Sequence, residues 1–307
     1  MMAITSNIEW TDATWNPWVG CTKISPACDH CYAAVSTAAR TLAHRLGIET
    51  LWGAGIHRYR TSEANWQQPL KWNDRHAEFY AQHGRRRRVF CASLADVFDN
   101  EVPAQWRSDL FKLIDSTKNL DWLLLTKRIG NVRNLTRGVS AWPNVWLGAT
   151  ICNQEEADRD IPKLLATPAR VRFLSIEPML GPIDLSTWIG DRQKDVIARR
   201  LAGLPYERHF VDWVIAGGES GHHARPMHPA WARSIRDQCR DAGVPFLFKQ
   251  WGEWGPNIEY PTADAYRWPI GNGMDSLTDW WSYRVGKKAA GRLLDGVTHD
   301  GFPPSAP

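Results

Sequence analysis

The sequence predicts an α/β protein: a partial or complete (β/α) barrel of the TIM type, built from parallel strands. Three observations predict it. Short apolar runs recur along the chain, a helix-like stretch follows each, and polar residues gather where the runs end. Continuously apolar strands alternating with helices are the mark of a parallel sheet buried on both faces. An open doubly wound sheet shares these marks, so periodicity alone leaves both arrangements open.

In chain order, Ile8–Trp10 is a candidate first strand, and Tyr32–Leu46 (YAAVSTAARTLAHRL) has the Ala and Leu content of a helix. Residues 47–87 are polar and rich in Trp and Gly; Arg58–Trp66 (RYRTSEANW) reads as loop. A rhythm then begins. Val89–Ser93 is a strand, and Val102–Ser116 is a helix with Pro103 near its start, where proline is tolerated. Asp121–Thr126 is a strand, with a short helix near Val132. Asn144–Thr150 is a strand and Gln154–Leu165 a helix. Val171–Ile176 is the next strand, followed by a polar segment, Asp184–His209, containing one helix. Phe210–Ala216 is a strand, Pro229–Ala242 a helix and Pro245–Phe248 a last strand. Residues 1–254 therefore read as the barrel domain. Residues 255–307, polar and ending in the Pro-rich FPPSAP, read as a C-terminal extension or lid.

Composition bounds the function classes. Of 307 residues, 43% are hydrophobic and 23% charged, as in a soluble globular protein. No apolar run approaches the eighteen or so residues of a membrane span, and MMAITSNIEW lacks a signal-peptide pattern. A cytoplasmic location without membrane contact is the expectation, and it suits reduced thiols. Net charge is only +4, so bulk electrostatics announce no polyanion partner. The run Arg85–Arg88 is suited to phosphates or is a solvated loop. Eighteen tryptophans are expected mainly as packing, some of them lining a site for a flat substrate.

The chemistry is concentrated between Trp15 and Tyr32, WNPWVGCTKISPACDHCY. Cys21, Cys28 and Cys31 form a C-x6-C-x2-C array, close enough in sequence to converge on one metal centre. Cys91, Cys152 and Cys239 lie among apolar residues and read as core. Thiolates select zinc, copper(I) or iron–sulfur clusters. Structural zinc and electron-carrying clusters want four protein ligands. Three cysteines leave one iron of a 4Fe-4S cluster open, the arrangement used to cleave S-adenosyl-L-methionine into a 5′-deoxyadenosyl radical. His30 offers a Cys3His zinc site instead, and the spacing departs from the C-x3-C-x2-C usual in radical enzymes.

Parallel α/β proteins gather function at the C-terminal ends of their strands. Six ends here carry polar groups: Ser93, Asp96 and Asp99; Thr126, Lys127 and Arg128; Thr150 and Asn153; Ser175 and Glu177; Gly217, Gly218, Glu219 and Ser220; Lys249 and Gln250. Lys127 or Arg128 suits the carboxylate of S-adenosyl-L-methionine, and Glu177 or Glu219 its ammonium. Ser93, Asp96, Thr126 and Thr150 suit its polar groups, the ribose hydroxyls among them. Gly217 and Gly218 let backbone approach a ligand. Lys127 and Glu177 are the catalytic candidates. His222, His223, Arg225 and His228 follow the glycine turn without ordered metal-ligand spacing.

The blocks WNPWVGC…C..CY, LTKR, NVWLGAT, SIEPMLGPID, VIAGGESG..ARPMH, FKQWGEW and VGKKAAGRLLDG together resemble a family of phage and prophage proteins. That family is regarded as carrying a three-cysteine motif like that of radical S-adenosylmethionine enzymes. The resemblance runs from Ile8 to about Pro303 and carries the cluster role to Cys21, Cys28 and Cys31. Its GGE-like turn follows a late strand rather than an early one, so the ammonium role does not transfer to Glu219 on the resemblance alone. The reading is a radical enzyme acting on a small molecule or a nucleic-acid base, served by an external reductant and with room for a partner protein. Two alternatives stay open. One is a zinc-stapled nucleic-acid-binding protein without catalysis; the other is a redox iron–sulfur protein.

Overall fold

The computed structural model describes residues 2–3, 6–136, 143–190, 210–256, 264–268 and 281–304. Two compact units divide the chain. The first is Met1–Ala149 with Ala166–Val171 and Pro304–Pro307; the second is Thr150–Leu165 with Arg172–Pro303. Both are α/β, and the class expected from the sequence, parallel strands of the partial (β/α)-barrel kind, is the class observed.

In the first unit the parallel strands are β1 (Ala13–Trp15), β2 (Arg87–Cys91), β3 (Leu120–Thr126) and β4 (Val145–Thr150). Ala13 pairs with Val89, Val89 with Trp122, and Trp122 with Val145. Every position of β4 is buried, as is every position of β3 except Leu125, which is why neither shows apolar–polar alternation. The two-residue strand Met2–Ala3 joins β1 antiparallel. Helices α1 (Thr37–Leu46), α2 (Ala104–Ser116) and α3 (Ile129–Leu135) accompany them.

Several expectations are corrected here. The first parallel strand is Ala13–Trp15, not Ile8–Trp10, which forms a bend and turn. The Tyr32–Leu46 run breaks at Ser36, whose hydroxyl accepts from Ala39 N at 3.2 Å and so caps α1 instead of sitting inside a longer helix. Ala39, Leu42 and Ala43 form the buried face of α1 and pack with Val19, Leu51 and Leu94. Arg58–Trp66 is not all loop: Tyr59–Arg60 pairs antiparallel with Trp18–Val19, and Glu63–Trp66 is helical. The Arg85–Arg88 run is not wholly a loop, since Arg87 and Arg88 open β2. Arg85 donates to Asp12 at 2.6 and 2.9 Å, the Arg87 guanidinium lies 4.3 Å from the Phe79 ring centre, and Arg88 lies 5.3 Å from that of Trp146. Burial pushes the Arg88 pKa down to about 10, and the face of an indole is a fitting neighbour for so desolvated a charge.

The second unit holds β5 (Val171–Ile176), β6 (Trp213–Gly217) and β7 (Phe246–Gln250). They are parallel, with Phe173 opposite Trp213 and Val214 opposite Phe246. Helices α4 (Gln154–Leu165) and α5 (Pro229–Asp241) belong to it. His228 caps α5, its Nδ1 accepting from Ala230 N at 3.0 Å. The free side of β7 is covered by returning chain: Phe248 N donates to His299 O at 3.0 Å and Gly301 N to Phe246 O at 2.8 Å. That covering blunts an edge that would otherwise template other strands. Within the stretch read as an extension, Trp254–Gly255, Ala265–Arg267 and Trp281–Arg284 make a three-stranded antiparallel sheet. In the polar segment after Asp184, Ser186–Ile189 is helical; residues 191–209 lie outside the described residues, as do the last three of FPPSAP.

Cys91, Cys152 and Cys239 are fully buried, as core cysteines should be. Trp15, Trp18, Trp122, Trp146 and Trp213 are also fully buried. Several indole N–H groups find partners: Trp15 donates to Asn65 O, Trp122 to Thr117 Oγ1 and Trp213 to Gly301 O, at 2.7–3.0 Å. Among the described residues no helix is long and apolar enough to cross a membrane.

Candidate functional sites in the two units

The cysteine loop grows from the C-terminal end of β1. Gly20 bridges Ala95, donating to Leu94 O at 3.0 Å, and thereby ties the loop to the chain leaving β2. Its φ of +112° and the 2.6 Å that would separate an added Cβ from Leu51 O both require glycine. Cys21 then bridges Trp52. Ser25 caps a turn of 3-10 helix, Pro26–Cys28, in which Cys28 N donates to Ser25 O at 2.8 Å and Cys31 N to Cys28 O at 3.3 Å. Cys31 packs against the Val19, Leu42 and Leu51 cluster. Tyr32 Oη donates to Ser93 O at 3.1 Å, while Asn16 Nδ2 donates to Ser93 Oγ at 3.0 Å. The loop is thus held to the C-terminal ends of β1 and β2.

The end of β3 completes the arrangement. Asp96 accepts from Thr126 Oγ1 at 2.8 and 3.0 Å, from Lys127 N at 3.2 Å and from Arg128 Nη1 at 3.2 Å. Arg128 Nη1 also donates to Cys21 Sγ at 3.3 Å, and Nη2 to Thr22 O at 2.6 Å. Asp99 lies 3.9 Å from Arg128 Nε and accepts from Arg58 at 2.8 and 3.0 Å. Arg58 Nη2 donates further to Thr22 Oγ1 at 2.6 Å and Glu101 at 2.8 Å. Arg58, Asp96 and Asp99 are each no more than 5% exposed. Alternating charges from the ends of β2 and β3 and from Arg58 therefore gather around one thiol. A buried guanidinium left without carboxylates would be prohibitively costly, which explains the interleaving.

Electrostatics set Cys21 apart. Burial, reinforced by Asp96, pushes its thiol up to about 11, with Arg128 opposing. Burial works against the charge on Arg128 itself, but Asp96, Cys21 and Asp99 more than offset it and raise its pKa. Among the described residues, no hydrogen bond reaches the sulfurs of Cys28 and Cys31. No three His, Cys, Asp or Glu side chains among the described residues form a metal-ligating group. The three thiols share a short anchored loop without closing on a common centre. Of the candidates in this unit, Cys21, Asp96 and Thr126 join one network with the backbone of Lys127, while Ser93 is tied to the end of β1 by Asn16 and to the cysteine loop by Tyr32.

The second unit has a different set. Glu177, just past β5, accepts from Lys249 Nζ at 2.8 and 2.9 Å and from Gln250 Nε2 at 2.9 Å; Gln250 Nε2 also donates to Ser220 Oγ at 2.9 Å. An added Cβ would lie 3.5 Å from Glu177 Oε1 at Gly217 and only 1.9 Å from Trp251 O at Gly218. Glycine is demanded here by close backbone approach within the protein. Glu219 is buried and held by Arg225 at 2.6 and 2.8 Å, so it is committed to an ion pair. Thr150 is 3% exposed, and its hydroxyl has no hydrogen-bond partner among the described residues. His228 is spent on capping α5, and His222 stacks edge-on against His223.

Arg58 is the member of this network that sequence reasoning passes over, because it sits in a stretch without readable periodicity. Asn16, which accepts from Leu94 N at 2.7 Å, was hidden among the tryptophans flanking the cysteine loop. No spacing rule marks either one.

Residues 5–303 match the family described as protein of unknown function, DUF5131. No curated protein matches the chain in sequence. Among solved structures, spore photoproduct lyase complexed with dinucleoside spore photoproduct is similar at 12% identity and a TM-score of 0.39, covering 93% of this chain and 72% of that one. A mutant of the same lyase with bound AdoMet and dinucleoside spore photoproduct gives 12% identity and a TM-score of 0.37, covering 89% and 68%.

Proposed function

We propose a function for a chain that belongs to the DUF5131 family: an enzyme that holds a 4Fe-4S cluster on Cys21, Cys28 and Cys31 and uses it to cleave S-adenosyl-L-methionine reductively. The observation that carries the reading is the seating of a three-thiol loop at the C-terminal ends of β1 and β2, with a guanidinium from the end of β3 on one of its sulfurs. The donor set fits the group in kind. Three soft sulfur donors share one loop, and the other three cysteines are consumed by the core. When bound, the cluster and S-adenosyl-L-methionine supply a carbon radical that abstracts hydrogen from a substrate.

The chain's own residues have separate tasks. Gly20, Ser25 and the 3-10 turn fix the backbone that carries the thiols. Asp96 and Asp99 hold Arg128 in place, and Arg58 in turn holds Asp99. Ser93 presents a hydroxyl at the same strand ends for sugar or water contacts, and Thr126, buried and bonded to Asp96, steadies that carboxylate. In the second unit Glu177 and Lys249 offer opposite charges side by side, matched to the ammonium and carboxylate of a zwitterion. Lys127 N donates to Asp96, and its ammonium makes no ion pair among the described residues, which suits an anionic substrate group. A nucleic-acid base or nucleotide is the substrate class proposed, a base in duplex requiring extrusion first. A cytoplasmic setting with an external reductant accompanies the reading.

The test is anaerobic. Protein reconstituted with iron and sulfide is given dithionite and S-adenosyl-L-methionine, and 5′-deoxyadenosine is measured. Product from the native chain and none from Cys28→Ala is the expected result. Iron-loaded protein without product would make it a redox iron–sulfur protein, and bound zinc without iron a structural zinc protein.

A further inference from the structure

We infer that Arg128 is a positioning residue that sets the reduction potential of the centre held by Cys21, Cys28 and Cys31; the inference rests on the cluster reading above. Three observations carry it. Arg128 Nη1 donates to Cys21 Sγ at 3.3 Å, whereas the sulfurs of Cys28 and Cys31 receive no hydrogen bond among the described residues. Arg128 is fixed on every side: by Asp96 at 3.2 Å, by Thr22 O at 2.6 Å, and by Asp99 at 3.9 Å. Its side chain is only 8% exposed, so water screens the charge little.

The physical argument is that a reduced cluster carries one more negative charge than an oxidised one. A fixed N–H donor on a ligating sulfur withdraws part of that charge and stabilises the reduced form more. Asp96 and Asp99 act the other way and favour the oxidised form. Both carboxylates stay in place when Arg128 is replaced, so the difference between variant and native chain reads the guanidinium and its hydrogen bond to Cys21 alone. Cys21 is therefore the ligand through which the protein tunes the centre, and the other two sulfurs are its unmodified counterparts. Arg128 touches no reacting atom in this role; it acts through Cys21.

The experiment compares the native chain, Arg128→Met and Arg128→Lys, each reconstituted with iron and sulfide. Iron and sulfide content is measured first, then the midpoint potential by a redox titration followed by electron paramagnetic resonance. Both variants should load iron. At the poise that half-reduces the native cluster, the reduced-to-oxidised ratio of Arg128→Met should fall about tenfold, a shift of about 59 mV to more negative potential. Arg128→Lys should recover part of the shift, because it restores charge without the planar fork. Equal midpoints in iron-loaded proteins would overturn the role of Arg128 and leave the cluster reading standing. A native chain that loads no iron would overturn both. Should Arg128→Met not fold, Arg128→Lys alone decides, an unchanged midpoint counting against the inference.

Discussion

The strand ends of the two units solve different problems with the same backbone logic. In the first unit the ends carry thiol, carboxylate and guanidinium, and every charge is interleaved with its opposite around Cys21. In the second they carry an amide, a glycine turn and two separate ion pairs, Glu219 with Arg225 and Glu177 with Lys249. Arg58 and Asp99 are essentially sealed, at 0% and 3% side-chain exposure, whereas Lys249 and Glu177 retain 14% and 17%. Sealed charges hold a geometry; partly open ones can exchange partners with a ligand. The first set is locked among its own partners, and the second keeps its charges within reach of solvent.

Removing Asp99 tests the locked set. Asp99→Ala would leave Arg58 buried against fewer carboxylates, and loss of one member of a buried pair costs about 3–5 kcal/mol. Urea denaturation should show that loss; a cost under about 1 kcal/mol would mean that the network is a bystander. A smaller effect is expected in the second unit. Lys249→Met leaves Glu177 its Gln250 contact, so a cost of about 1–3 kcal/mol should follow, with binding of zwitterionic ligands weakened more than the fold. Equal effects on the two would erase the distinction. The smallest effect is confined to acid. Burial pushes the Asp12 carboxyl up, but the hydrogen bond from Arg85, the Arg88 N–H and both their charges outweigh it and hold its pKa below the usual range. Its stabilisation is therefore complete above the ordinary carboxylate pKa and is lost as pH falls through the lowered value. Asp12→Asn should lower stability at neutral pH and flatten the acid limb, checked by thermal melts across that range.

Much of this architecture was legible because buried parallel strands must be apolar throughout. β3, β4 and β5 therefore announce themselves in LDWLLLT, VWLGAT and VRFLSI. The cysteine array was legible because thiol chemistry depends on type and spacing. What could not be read were pairings across long sequence distance. Nothing local says that Arg58 meets Asp99, or that Asp12 accepts from Arg85. Ser36 was readable in principle: a serine within an Ala-rich run is a cap as readily as an interior residue. The partner of Glu219 was equally illegible, since nothing in the glycine turn says that Arg225 holds the acid that follows it.

Gly20 has a consequence for engineering. Its backbone is wedged against the Leu51 carbonyl and bonded to Leu94, so the trajectory of the thiol-bearing loop is dictated from two distant stretches of chain. A graft of Cys21–Cys31 alone onto another scaffold would carry the sulfurs without their bearing. The portable module is discontinuous: the glycine, the strip around Leu51–Gly53 and the first turn after β2 must travel with it.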